Sequence, residues 1–302
     1  MIPQFPDFKH VELSDREAVE LHTHRYDPYS DFNFTSLWAW DTSNERMISE
    51  LNGNLLVRFT DYSTHEPFLS FLGENETEHT ARTLIDYCKA NGLPMTLKLM
   101  PEVSIKDMRP SVLKVREDRD NFDYIYSIAQ LAAFNGDKFR SKKHMVNVFA
   151  RKYPNARAEI INLKDKGAQE NVLSVIAAWE KNKAERKKAY ELKHELTAIK
   201  KLFDTSESHD LLLTAIFNDD TMLAFSIEEV MPNQCCIAHF WKADTNYRGI
   251  YDFLVHEKAL HLETLGVSSL NYEQDLGISS LRNAKTSLRP ISFLKKYQVS
   301  LV

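Results

Sequence analysis

Glu273, Asp275, Arg282 and Lys285 put two carboxylates and two cations within thirteen residues of one another. Alternation over 269–275 places Asn271 and Glu273 on one face of a strand and Leu270 and Tyr272 on the other, with Asp275 just past its end. A carboxylate there can accept hydrogen bonds from an amino group or take its proton, and as a base it needs burial to raise its pKa toward neutrality. Asp275 has the alternative role of capping the next helix. Arg282 and Lys285, three apart, share a helix face. They either flank an anion, such as the oxyanion of an ester under attack or a terminal phosphate, or lie solvated at the surface. His239 sits in a strand at 235–242 and shares a face with Ile237 and Trp241 by alternation, which reads as a satisfied core histidine or a substrate-facing group.

A second set lies on a helix predicted over 137–152. Phe139, Val146 and Phe149 form its apolar stripe, while Arg140, His144, Asn147 and Arg151 fall within about 60° of one another on another stripe able to grip successive phosphates. Lys143 belongs to the same basic cluster. Lys142 falls among the apolar residues, where a lysine snorkels, finds a carboxylate or faces a lined cavity. For His144 the alternatives are phosphate contact and simple surface exposure.

Charge supports the phosphate reading. Residues 1–130 carry 13 Lys/Arg against 22 Asp/Glu, a net of −9, whereas 131–302 carry 25 against 21, a net of +4. The basic charge concentrates at 138–201, with 17 Lys/Arg against 7 Asp/Glu. Such an island suits a polyanionic partner, a nucleic acid, an anionic lipid or a nucleotide, or is the solvated face of lysine-rich helices.

The turn Ala243-Asp244-Thr245-Asn246-Tyr247-Arg248-Gly249-Ile250-Tyr251 carries a strand into a helix, and free amides at a helix N-terminus bind phosphate. Tyr247, Arg248 and Gly249 are the candidates. The turn resembles the pyrophosphate loop of the GNAT acyltransferases, with Asn246 where that superfamily has Arg or Gln, and Tyr251 where it has Gly or Ala. Longer strings resemble the phosphatidylglycerol lysyltransferase C-terminal family: Asp118-Arg-Asp-Asn-Phe-Asp-Tyr-Ile-Tyr126, Lys142-Lys143-His144-x-x-Asn147, Ala238-His239-Phe-Trp-Lys-Ala-Asp244, Asn271-Tyr-Glu-Gln-Asp-Leu-Gly277 and Leu281-Arg-Asn-Ala-Lys285. That resemblance implies a tandem GNAT fold and relatives that move an amino acid from aminoacyl-tRNA to a lipid or, in the Fem-type enzymes, to a peptidoglycan precursor. It implies aminoacyl-tRNA or acyl-coenzyme A as donor, tRNA, anionic lipid or a small-molecule acceptor as partner, and Glu273, Asp275, Lys285 and His239 as the catalytic set.

The elements that must position these groups alternate between strand and helix along the whole chain, an α/β order of two GNAT-like domains at 1–120 and 121–302. Each is expected to be a mixed, mostly antiparallel sheet flanked by helices. In the second, helices at 137–152, 165–183 and 190–203 precede three successive strands at 211–218, 222–231 and 235–242, then a helix from Gly249 to 265 and a strand at 267–272. Several chemistries are disfavoured. Cys88, Cys235 and Cys236 are odd in number with no CxxC spacing, which indicates reduced structural thiols. The eleven histidines include no HExxH, and no metal is expected. No serine elbow or Cys–His motif points to a covalent nucleophile. The longest apolar run is far short of a bilayer span, and the first residues lack a signal-peptide pattern, so a cytoplasmic protein is expected. Direct attack of an amine or hydroxyl on a bound activated ester fits this inventory. The alternatives are a non-catalytic module for tRNA or another phosphate-rich ligand, and a coenzyme A-dependent N-acyltransferase.

Overall fold

A computed structural model describes residues 1–61, 64–183 and 189–302 and divides the chain into two units. The first comprises Met1–Asp123 with two returning pieces, Gln274–Ser279 and Phe293–Val302; the second comprises Tyr124–Glu273 and Ser280–Ser292.

The first unit begins with β1 (Lys9–His10), α1 (Arg16–Thr23), α2 (Phe34–Ala39), β2 (Met47–Leu51), β3 (Asn54–Thr60) and β4 (Pro67–Leu72). It continues with α3 (Thr77–Ala90), β5 (Leu97–Pro101), α4 (Glu102–Ile105) and β6 (Leu113–Glu117). The turn into α1 starts at Glu12: Glu12 and Asp15 cap each other reciprocally, and Lys9 neutralises the buried Asp15 at 2.9 Å. The Asn33 side chain accepts the Ser36 N–H and caps α2. The strands form two antiparallel sheets, β1-β2-β3-β4 and a three-stranded one that the last strand of the chain completes.

The second unit contains β7 (Asp123–Ser127), α5 (Ile128–Ala133), α6 (Arg140–Lys152), β8 (Ala156–Asn162), α7 (Lys166–Lys183) and α8 (Ala189–Asp204). There follow β9 (Leu211–Asn218), β10 (Thr221–Val230), β11 (Cys235–Ala243), α9 (Ile250–Thr264), β12 (Ser269–Asn271) and α10 (Ser279–Ser287). The chain ends in two strands, β13 (Ser292–Leu294) and β14 (Lys296–Leu301), and β14 runs between β5 and β6 in the first unit.

The main sheet runs β7-β12-β11-β10-β9-β8 with β13 outside β7. β10 is buried along all but its two end residues, as a central strand covered on both faces must be. α9 packs on one side with α5 and α6, and its buried positions, Ile250, Phe253, Leu254, Val255, Lys258, Ala259 and Leu262, encircle most of the helix. Gly266, at φ +74°, ends it in a Schellman turn: its own N–H reaches Glu263 O, and Val267 N–H reaches Leu262 O, both at 3.1 Å. α7 contacts β10 and β11.

In the first unit, Lys296 is fully buried and pairs with Asp123 at 2.7 Å and with Asp31. The Ser30 backbone and hydroxyl donate to the two oxygens of Asp123 at 2.8 and 2.7 Å, and Gln274 donates to Asp31 at 3.1 Å. This cluster fastens the returning pieces of the unit to its start. Breaking a buried pair of this kind by removing one partner costs about 3–5 kcal/mol.

Candidate active site

β11 and β12 run parallel only where Cys235, Cys236 and Ile237 face Ser269, Leu270 and Asn271; β11 then continues to Ala243 without β12 beside it. Side chains fill the opening. Trp241 stacks on Tyr272 with ring centroids 4.9 Å apart, and Tyr251 of α9 meets Trp241 edge-on at 5.4 Å.

His239 stands at a β-bulge. The register of β10 and β11 shifts between Ile227 and Glu228, which pair with Phe240 and Ala238, so His239 is the extra residue. Cross-strand partners share a face, which puts Trp241 with Ser226 and Ile237 with Glu229. Simple alternation, which joins His239 to both Ile237 and Trp241, therefore fails at Trp241. The imidazole goes to the Glu229 side, with Nε2 3.1 Å from Glu229 Oε2 and Nδ1 3.4 Å from Glu273 Oε1. Burial alone would lower the pKa of His239, but hydrogen bonds and charge from Glu229 and Glu273 outweigh it and push the pKa up to about 9. At neutral pH the ring is an imidazolium, hydrogen-bonded to Glu229 and ion-paired with Glu273. It is closed off from solvent, whereas the Glu273 side chain is 18% exposed. Glu273 has a positive φ of +55°, with its N–H held by Asn271 Oδ1 at 2.7 Å and its carbonyl accepting the Tyr124 N–H at 3.2 Å.

The opposite face carries a network that the sequence analysis missed. Lys258 of α9, fully buried, donates to Ser226 Oγ at 2.8 Å and pairs with the buried Glu228 at 3.3 Å, while Thr214 donates to the other Glu228 oxygen at 3.1 Å. Its ammonium also lies 4.5 Å from the Tyr272 ring centroid. Burial would lower the Lys258 pKa, but Tyr272 and Glu228 more than compensate and hold it charged. A readable signal existed in two acidic residues inside an otherwise apolar strand and a lysine among the apolar residues of α9.

The remaining candidates separate. Lys285 is buried: its ammonium donates to the Tyr272 carbonyl and lies 5.9 Å from the Tyr124 ring centroid, and its own carbonyl accepts the Tyr126 hydroxyl at 2.8 Å. Arg282, on the same helix, is half-buried. Asp275 falls in the first unit, where its buried carboxylate accepts the Gly277 N–H at 2.9 Å and pairs with Arg119 at 3.4 Å. That is a turn-forming role close to the capping alternative.

On α6, Lys142 finds a carboxylate, Asp252 of α9, at 2.9 Å. Arg140 pairs with Asp137 at 2.6 Å on the surface, and Lys143 is exposed. His144, Asn147, Ala150 and Arg151 line an open groove of about 490 Å³. The same helix backs the candidate turn. Gly249 has φ +90°, and a Cβ there would lie 2.5 Å from Met145 O; Phe149 packs on Phe253 at 4.7 Å, and Tyr153 on Tyr247 at 5.0 Å. Arg248 is exposed. The structure therefore brings the α6 residues to the turn, and separately brings His239 to Glu273.

An antiparallel run from β8 to β11, then a helix and a parallel strand that parts from β11, is the order of a GNAT-type acyltransferase fold, and the α/β class expected from the sequence holds. The chain belongs to the family described as phosphatidylglycerol lysyltransferase, C-terminal, which matches residues 23–300. Among solved structures, it is similar to a conserved protein of unknown function from Bacteroides thetaiotaomicron, with 25% identity over 100% of both chains and a TM-score of 0.85. It is also similar to L-PGS from Bacillus licheniformis, with 12% identity over 99% of this chain and 93% of that one and a TM-score of 0.64. No curated protein sequence matches. Among the described residues no helix is long and apolar enough to cross a membrane.

Proposed function

We propose that the second unit is an aminoacyl- or acyltransferase in which an amine or hydroxyl acceptor attacks an activated ester directly, with aminoacyl-tRNA as donor and a lipid or other small molecule as acceptor. The observation that carries this reading is the Glu273 carboxylate, partly open to solvent beside the parting of β11 and β12 and held by a buried imidazolium. Family membership supplies the class of reaction. Glu273 takes the proton of the attacking group as its nitrogen or oxygen bonds to the ester carbon. The bond from that carbon to the donor oxygen then breaks, and the departing oxygen takes that proton back from Glu273. His239, protonated at neutral pH, orients the Glu273 carboxylate rather than acting as a base itself. Lys285, committed to the Tyr272 carbonyl, shapes the end of β12.

A second reading, a binding module without turnover, is favoured by the groove of His144, Asn147 and Arg151, which is open where the ionic clusters are closed. Binding of aminoacylated and deacylated tRNA across a salt series separates the two. Phosphate contacts give a steep salt slope in either case. Tighter binding of the charged form, with transfer to an added acceptor that Glu273→Gln abolishes while sparing binding, supports the enzyme. Equal binding with no product supports the module, and no binding overturns both.

A further inference from the structure

We propose that Glu229 is a positioning residue for Glu273, acting through His239. The proposal rests on the reading of Glu273 as the proton acceptor. Glu229 is 4% exposed, and Glu229, His239 and Glu273 lie in series, with contacts of 3.1 and 3.4 Å on the two nitrogens of one ring. A neutral imidazole donates through one nitrogen only, so a ring with a carboxylate at each nitrogen satisfies both by carrying the second proton. Glu229 supplies the charge that keeps this proton in place and fixes the plane of the ring. The ring in turn holds one oxygen of Glu273.

The backbone is built for the same end. The bulge in β11 turns His239 away from the Trp241 face, and the positive φ of Glu273, secured by Asn271 and Tyr124, sends its side chain to the ring. Among the described residues, the charged groups facing the imidazole are Glu229 from β10 and Glu273 beyond β12. The next cation on that face of β11 is Lys242, which Glu195 of α8 engages and which lies 4.9 Å from the Trp179 ring centroid of α7. Lys258 and Glu228 form a separate network on the other face.

The test uses the full chain with Glu229→Gln, nearly isosteric but uncharged, and Glu229→Asp, which restores the charge. His239 is followed by NMR titration, its signal assigned with His239→Gln. In wild type the ring titrates near pH 9. In Glu229→Gln the midpoint falls by more than about one unit, and in Glu229→Asp it returns part of the way. In the transfer assay, Glu229→Gln lowers kcat by roughly tenfold to a hundredfold, the scale on which buried supporting groups act, with little change in KM. An unchanged His239 titration overturns the proposal, as does a normal kcat despite a shifted titration. If wild type makes no product at all, the transferase reading fails by itself. The titration then still decides the coupling: a Glu273→Gln variant that leaves the His239 midpoint in place overturns it, and one that lowers the midpoint sustains it.

Discussion

The hydroxyl of Tyr251 accepts a hydrogen bond from the backbone N–H of Ala243 at 3.3 Å, so a side chain of α9 occupies the edge of β11 that β12 leaves open. Burial pushes the phenol up to about 12, which keeps it protonated and in place at neutral pH. With Gly249 packed against the Met145 carbonyl, the turn and the strand edge are both engaged from within. Isothermal titration of wild type with acetyl-coenzyme A is expected to give no saturable signal up to about 1 mM, a ligand affinity weaker than roughly −4 kcal/mol. Micromolar saturation would restore the coenzyme A-dependent reading.

The ionic series around His239 makes stability depend on pH in a definite direction. Its pKa is about 9 in the folded chain and 6.5 as the ordinary value, so the folded state holds the extra proton between these limits. The stabilisation is complete below about pH 6.5 and is lost as pH rises through 9. It amounts to something on the order of 3 kcal/mol. Urea denaturation of wild type and His239→Gln from pH 6 to 10 should show their difference shrinking as pH rises. A constant difference would mean that the ring is not charged in the folded protein.

Lys296→Met leaves Asp31 and Asp123 buried without their cation. The expected loss is about 3–5 kcal/mol in urea denaturation at pH 7. A loss below about 1 kcal/mol would show that the two carboxylates reach solvent or take up a proton.

Gly249→Ala sets a methyl group against a backbone oxygen in a conformation that L-residues avoid. A cost of about 1–3 kcal/mol is expected from strain at this φ, together with displacement of α6, which its tryptophan-free aromatic contacts with Tyr247 and Phe253 allow to be followed by NMR. An unaffected melting temperature would show that α6 is not anchored at the turn.

Much of the fold was legible. Gly249 and Gly266 bracket α9, and the three successive apolar strands from Leu211 to Ala243 announce the meander. Lys142 was legible as a lysine needing a carboxylate, though Asp252 as its partner was not, because pairing across helices depends on tertiary geometry. His239 and Glu273 were each singled out, but not their contact. Alternation assumes regular pairing, and the bulge at His239 and the positive φ of Glu273 each break that assumption. Glu229 and Lys258 escaped notice because a charge within an apolar run carries no mark of its partner. Nothing local in the sequence distinguishes Ser292–Leu294 from Lys296–Leu301 as separate strands.

β14 lies at the centre of its sheet, between β5 and β6, and these two strands do not pair with each other. During synthesis, residues 1–123 therefore leave the ribosome lacking the strand that joins β5 to β6 and the lysine that neutralises Asp31 and Asp123. The first unit therefore cannot close until the residues of the second have been translated.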